Sequence, residues 1–155
     1  MAVLNKTLGQ YDRAASNAAR ALAISEKTLG PENPLVATNL NTVAGMLMLK
    51  QDFAGAESLF RRSLAIREKA LGPVHPDVAN SLNDLAYLYT KQGKFLAEES
   101  FYKRSLSIFE QSLGPNHPNV AASLFNLAEV YRATGRVAEA VELEERMKRI
   151  DATRQ

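Results

Sequence analysis

The sequence predicts an all-α fold: a right-handed α-solenoid of stacked antiparallel helix pairs, about seven helices in all. Three observations carry this reading. Leu29-Gly30-Pro31-Glu32-Asn33-Pro34 recurs as Leu71-Gly72-Pro73-Val74-His75-Pro76 and as Leu113-Gly114-Pro115-Asn116-His117-Pro118, 42 residues apart each time. All six prolines and both histidines of the chain lie in these segments. Between them the apolar residues follow the helical period, and β-branched alternation is absent. A fixed period of this size marks an array of supersecondary units. A single helix pair cannot bury its apolar stripe alone and does so against its neighbours.

The elements follow in order. Gly9-Gln10-Tyr11 aligns with Gly93-Lys94-Phe95, and Leu22, Ile24 and Glu26 align with Leu64, Ile66 and Glu68. Residues 9–30 are therefore expected to hold the second helix of a partial repeat, entered through a turn at Gly9. Repeats one, two and three then occupy 31–72, 73–114 and 115–150, with a tail at 151–155, all within one domain spanning 1–155. Each first helix is expected to start at Pro34, Pro76 or Pro118, because proline at the first helical position loses only an amide that had no partner. Val36, Leu40, Val43, Ala44 and Leu47 form its stripe in repeat one. Gly93 and Gly135 end the later first helices with a left-handed residue; Gln51 stands there in repeat one, so a less sharply defined turn is expected. The second helices carry Ala56, Leu59, Phe60, Leu64 and Ile66, matched by Phe101, Tyr102, Leu106 and Ile108. They end at Gly30, Gly72 or Gly114, each followed by a proline that forbids continuation.

The pattern resembles the tetratricopeptide repeat. The small residue within the first helix (Ala44, Ala86, Ala128), the aromatic ending its stripe (Tyr89, Tyr131) and the alanine opening the second helix (Ala14, Ala56, Ala140) carry the likeness. The ordinary repeat has 34 residues, and eight more lengthen each helix by about one turn. The L-G-P-x-H-P connector and Leu82-Asn83-Asp84-Leu85-Ala86 are similar to the kinesin light chain and nephrocystin type. That resemblance implies a protein-interaction module with a concave groove formed by the first helices.

Two positions depart from the pattern. Glu98 replaces the alanine of the tight contact, where a buried carboxylate is costly, so a local shift bringing it to solvent is expected. Lys148 and Arg149 replace Leu106 and Ser107, which would give the last helix a polar outer face.

Composition excludes several classes of function. Nineteen basic and seventeen acidic residues leave a formal charge of +2, against the clustered basic excess of a nucleic-acid binder. With no Cys, disulfides, thiolate metal sites and a cysteine nucleophile are excluded. No apolar run approaches the roughly 20 residues of a membrane span, and Met1–Gln10 lacks the apolar core of a signal peptide. A cytoplasmic protein without membrane, metal or cofactor is the expectation.

His75 and His117 occupy one connector slot a full repeat apart, beyond shared coordination of one ion. A capping or turn role is expected, as for Asn33 in the same slot. Arg20, Arg62, Arg104 and Arg146 form a ladder at the repeat period, with Glu26, Glu68 and Glu110 six residues later. The ladder is read as a packing position or solvated face rather than a polyanion track. No nucleophile motif, phosphate loop or H-E-x-x-H occurs, so no enzyme is expected.

One face looks built for a partner. It lies half a turn from the buried stripe of the first helices and comprises Thr38, Asn41, Thr42, Asn80, Asn83, Asp84, Tyr87, Lys91, Phe125, Asn126 and Glu129, with Arg132 at the margin. Asparagine amides offer a donor and an acceptor, which suits an extended peptide backbone. The expected function is a non-catalytic scaffold binding a protein or peptide segment here. The alternatives are an array segment self-associating weakly through its open ends, or a sensor part of a larger signalling protein.

Overall fold

The computed structural model describes residues 2–153, with the backbone alone for 2–12 and for Leu96. Among the described residues there are seven helices and no strand: α1 (Ala2–Leu29), α2 (Pro34–Leu49), α3 (Phe53–Leu71), α4 (Pro76–Lys91), α5 (Phe95–Leu113), α6 (Pro118–Ala133) and α7 (Val137–Ala152). They fall into two compact units, Met1–Ala70 and Leu71–Gln155.

The connectors set the helix boundaries. Asn33 accepts a hydrogen bond from the Leu35 amide at 2.9 Å. His75 and His117 do the same through Nδ1, from Asp77 and Asn119, both at 3.1 Å. The histidines are thus N-caps, and an accepting Nδ1 places the ring proton on Nε2. Each cap is followed by proline at the first helical position. Upstream, Gly30, Gly72 and Gly114 have φ of 83°, 85° and 89°. At Gly114 ψ is 156°, a region outside the ordinary left-handed well that only glycine occupies readily.

Two expectations about turns are corrected. The turn at Gly9 does not form, and α1 runs through it as one helix. An interior glycine costs only about 1 kcal/mol, and the helical hydrogen-bond ladder carries it. The turn at Gln51 is as sharp as its glycine counterparts. Gln51 takes φ 62°, and the Asp52 amide reaches Leu47 O at 2.9 Å, as Lys94 reaches Tyr89 O at 3.0 Å and Arg136 reaches Tyr131 O at 2.8 Å. This double-bonded helix end is a Schellman motif. Its bonds hold the glutamine where a Cβ is unfavourable.

In the first unit Val36, Ala37 and Leu40 pack with Ile66, and Leu22 and Leu59 close over them; Val43 and Leu47 lie half-buried at the edge. In the second unit Ala86, Tyr102, Leu127, Ala128, Val130, Tyr131 and Ala140 share one core. Tyr89 stacks on Phe101 with centroids 5.5 Å apart. In repeats one and two a buried serine joins the pair: Ser63 donates to Ala37 O at 2.9 Å and Ser105 to Ala79 O at 3.0 Å. Burial leaves these hydroxyls no water, so the carbonyls one helix away satisfy them.

The arginine ladder is stitching. Arg62 meets Glu26 at 2.6 Å in the first unit, and Arg146 meets Glu110 at 2.6 Å in the second. Each pair joins one second helix to that of the preceding repeat, so the glutamates serve the next arginine along rather than their own. Arg136, entering α7, grips Glu99 of α5 at 2.6 and 3.1 Å and lies 3.9 Å from the Tyr131 ring centroid. Lys103 adds a third bond to Glu99 at 2.6 Å. The Arg136 hydrogen bond chiefly holds the Glu99 carboxyl down at about 2.

Glu98 is corrected as well. It is buried, at 3% exposure, instead of reaching solvent. Thr90 bonds Glu98 Oε1 at 2.5 Å and Ala86 O at 3.1 Å, while Oε2 has no partner. One hydroxyl proton cannot serve two acceptors. Both contacts are satisfied when Glu98 carries a proton and donates to Thr90, which then donates to Ala86. Burial pushes the Glu98 carboxyl above its usual range, the Thr90 bond opposing it.

Two of these sites lend themselves to measurement. Gln51→Gly relieves a non-glycine left-handed residue, so it should stabilise the chain by about 0.5–1 kcal/mol in chemical unfolding; an unchanged midpoint would contradict the strain. Adjacent Glu98 and Glu99 contribute opposite pH dependences. The lowered Glu99 stabilises above its unfolded value of 4.5 and loses this as pH falls toward about 2. The raised Glu98 stabilises at acid pH and loses this as pH rises past its unfolded 4.5. Glu98→Gln should therefore be more stable than the parent at pH 7, on the order of 1 kcal/mol, with the gain gone at pH 4. Melting curves at the two pH values check it.

Candidate peptide-binding face

The face read from the sequence is distributed over both units. In the first unit Thr38 and Thr42 are exposed on α2, and Asn41 is half-buried beside them. Thr42 turns its hydroxyl to Thr38 O at 3.1 Å, and Thr38 Oγ1 accepts from Arg67 at 3.4 Å.

In the second unit the face is carried by α4 and α6. Residues 80, 83, 84, 87 and 91 recur at the three- and four-residue spacing that stacks side chains along one side of a helix. The stripe opposite them, Val78, Leu82, Leu85 and Tyr89, is buried, which turns this side of α4 outward. Asn80 and Lys91 are exposed, and Asn83 and Asp84 half-buried. Tyr87 is 50% exposed, with the Lys91 ammonium 4.9 Å from its ring centroid. The Asn83 Oδ1 atom is shielded from water and has no hydrogen-bond partner. An acceptor in that condition is costly to leave unmade.

On α6 Phe125 is also 50% exposed, in the register of Asn83 one repeat on. Asn126 is half-buried beside it and Glu129 is exposed one turn further along. Arg132, expected at the margin, reaches away to α7, where Nε and Nη2 lie 2.8 and 2.5 Å from Glu144. Two large apolar rings on outward faces, with amides between them and few charges, can seat an extended chain. They offer no activated nucleophile or acid–base pair.

A second exposed feature went unread in the sequence. Phe95 and Val137, the first residues of α5 and α7, are 39% and 53% exposed. Phe95 lines an open apolar hollow with Gly93, Lys94, Ala97 and Thr134. The signal was available, since positions 53, 95 and 137 are apolar in every repeat.

Comparison with known proteins places this arrangement. The tetratricopeptide repeat profile matches residues 37–111 and 99–151, and a second profile of the same description matches residues 1–35. No curated protein sequence matches the chain. Among solved structures, BtubC (BKLC) from P. vanneervenii is 27% identical with a TM-score of 0.85, over 94% of this chain and 58% of its own. The chain thus spans 58% of the length of that relative. A Podosopora anserina protein of the kinesin light chain type, with nearly identical TPR-like repeats, is 30% identical with a TM-score of 0.79, over 95% of this chain and 69% of its own. The apo form of RapI, at 21% identity, shares the fold with a TM-score of 0.78 over 96% of this chain and 52% of its own. With the profile covering well over half of its residues and the helix pairs matching these structures, the chain belongs to the tetratricopeptide repeat family.

Proposed function

We propose that the protein is a non-catalytic scaffold that holds an extended segment of a partner protein along the outward faces of α4 and α6. Tetratricopeptide repeats are protein-interaction scaffolds in general, their stacked pairs presenting extended binding surfaces. The observation that carries the reading here is the unpartnered, water-shielded Oδ1 of Asn83 beside the half-exposed ring of Tyr87. The amide would take a backbone N–H of the bound segment. The rings of Tyr87 and Phe125 would take its apolar or aromatic anchor, and such anchors carry most of an interface's energy once desolvated. Thr38, Asn41 and Thr42 would extend the same kind of surface on α2.

A second reading is self-association through an open repeat end. Ile66, Ile108 and Ile150 are 4%, 4% and 2% exposed, while Ile24 in the same register is 54% exposed. Light scattering across a concentration series separates the readings, because groove binding needs no growth in mass.

The decisive test uses a peptide selected against the full chain and measured by calorimetry. Asn83→Ala combined with Tyr87→Ala should weaken binding by at least about thirtyfold, the scale of losing a hot spot of about 2 kcal/mol. Helicity and melting should stay near the parent's, since neither side chain is in the core. Undiminished binding would move the site elsewhere.

A further inference from the structure

The two rings of the α4–α6 face sit in opposite electrostatic company. On α4 the side chain one turn beyond Tyr87 is Lys91, and its ammonium covers the ring at 4.9 Å. The protein supplies its own cation there. On α6 the side chain one turn beyond Phe125 is Glu129, whose side chain is 59% exposed. Residues four apart on a helix are surface neighbours, with Cβ atoms about 5–6 Å apart. A carboxylate therefore stands beside a ring that is itself half-exposed. Arg132 is shared between two carboxylates and leans to the other one, 4.0 Å from Glu129 and 2.5 Å from Glu144, so Glu129 keeps acceptor capacity for a second cation.

An aromatic face attracts a cation through its quadrupole, and a carboxylate at its edge accepts the cation's N–H groups. The geometry points to a cation subsite on α6, in which Phe125 and Glu129 receive the guanidinium of an arginine carried by the bound segment. Arginine suits it better than lysine, because a planar guanidinium stacks on the ring and turns its fork of donors to the carboxylate. The subsite rests on the groove reading above and adds the charge of the partner to it. The segment is basic where it crosses α6, whereas at α4 Lys91 already occupies the matching place and repels a second cation.

A phage-displayed library of randomised heptapeptides, selected against the full chain, tests this. Selected peptides should share an arginine or lysine at one position. In a synthetic copy, replacing that residue by neutral citrulline should weaken binding about tenfold. Glu129→Lys should shift the selection to aspartate or glutamate at that position. Glu129→Gln should lose the salt sensitivity of binding while keeping the rest. Circular dichroism verifies that these exposed substitutions leave the helices intact. Peptides that lose binding to the Asn83→Ala, Tyr87→Ala variant yet show no basic preference, or whose citrulline forms bind equally well, overturn the subsite alone. A selection that returns no peptide overturns the groove and the subsite together.

Discussion

Everything in these units depends on covering the apolar stripe of a short helix with side chains from the helices packed against it. A sixteen-residue helix such as α4 has little stability in isolation, and its buried row of Val78, Leu82 and Leu85 needs side chains from elsewhere. Coverage works only when successive pairs keep one register. The connectors enforce that register by stopping one helix at a glycine with φ above 80° and starting the next at a capped proline. The buried serines add a polar check. Ser63 and Ser105 find their carbonyls at 2.9 and 3.0 Å only if the two helices of a pair are neither slipped nor rotated, since a one-residue slip would strand a hydroxyl in the core.

Electrostatics joins one repeat to the next. Arg62–Glu26 and Arg146–Glu110 are partly exposed pairs, each contributing little alone. Each aligns one second helix with the preceding one inside its own unit. The Glu99 cluster is more deeply placed, with its side chain 14% exposed. It ties the middle of the second unit to the turn that launches α7.

Features that the chain states locally were readable in the sequence. The starts of α2, α4 and α6 coincide with the prolines, and the capping role of His75 and His117 followed from their slot before them. Gln51, Gly9 and Glu98 depart from expectation for a shared reason: in each, bonds from the surroundings outweigh the residue's own preference. Five-residue closure bonds hold Gln51 in a glycine's conformation, the helix ladder runs past Gly9, and Thr90 bonds a carboxyl that stays buried. The composition of the outward face was legible as asparagines and rings at repeat spacing. What could not be read was the company of each side chain. Arg132 has carboxylates within reach on both its own helix and the next, and only three-dimensional placement shows that Glu144 takes it.

The distribution of tyrosines has an optical consequence. The chain has no Trp, so its near-ultraviolet spectrum belongs to phenols. Of those whose side chains the structure describes, Tyr89, Tyr102 and Tyr131 are between 5% and 8% exposed, whereas Tyr87 is 50% exposed. Contact with solvent governs the absorption of a phenol, so an event on the outward face of α4 perturbs Tyr87 while these three buried phenols stay nearly silent. The outward face of α4 thus contains its own spectroscopic reporter, without any label added.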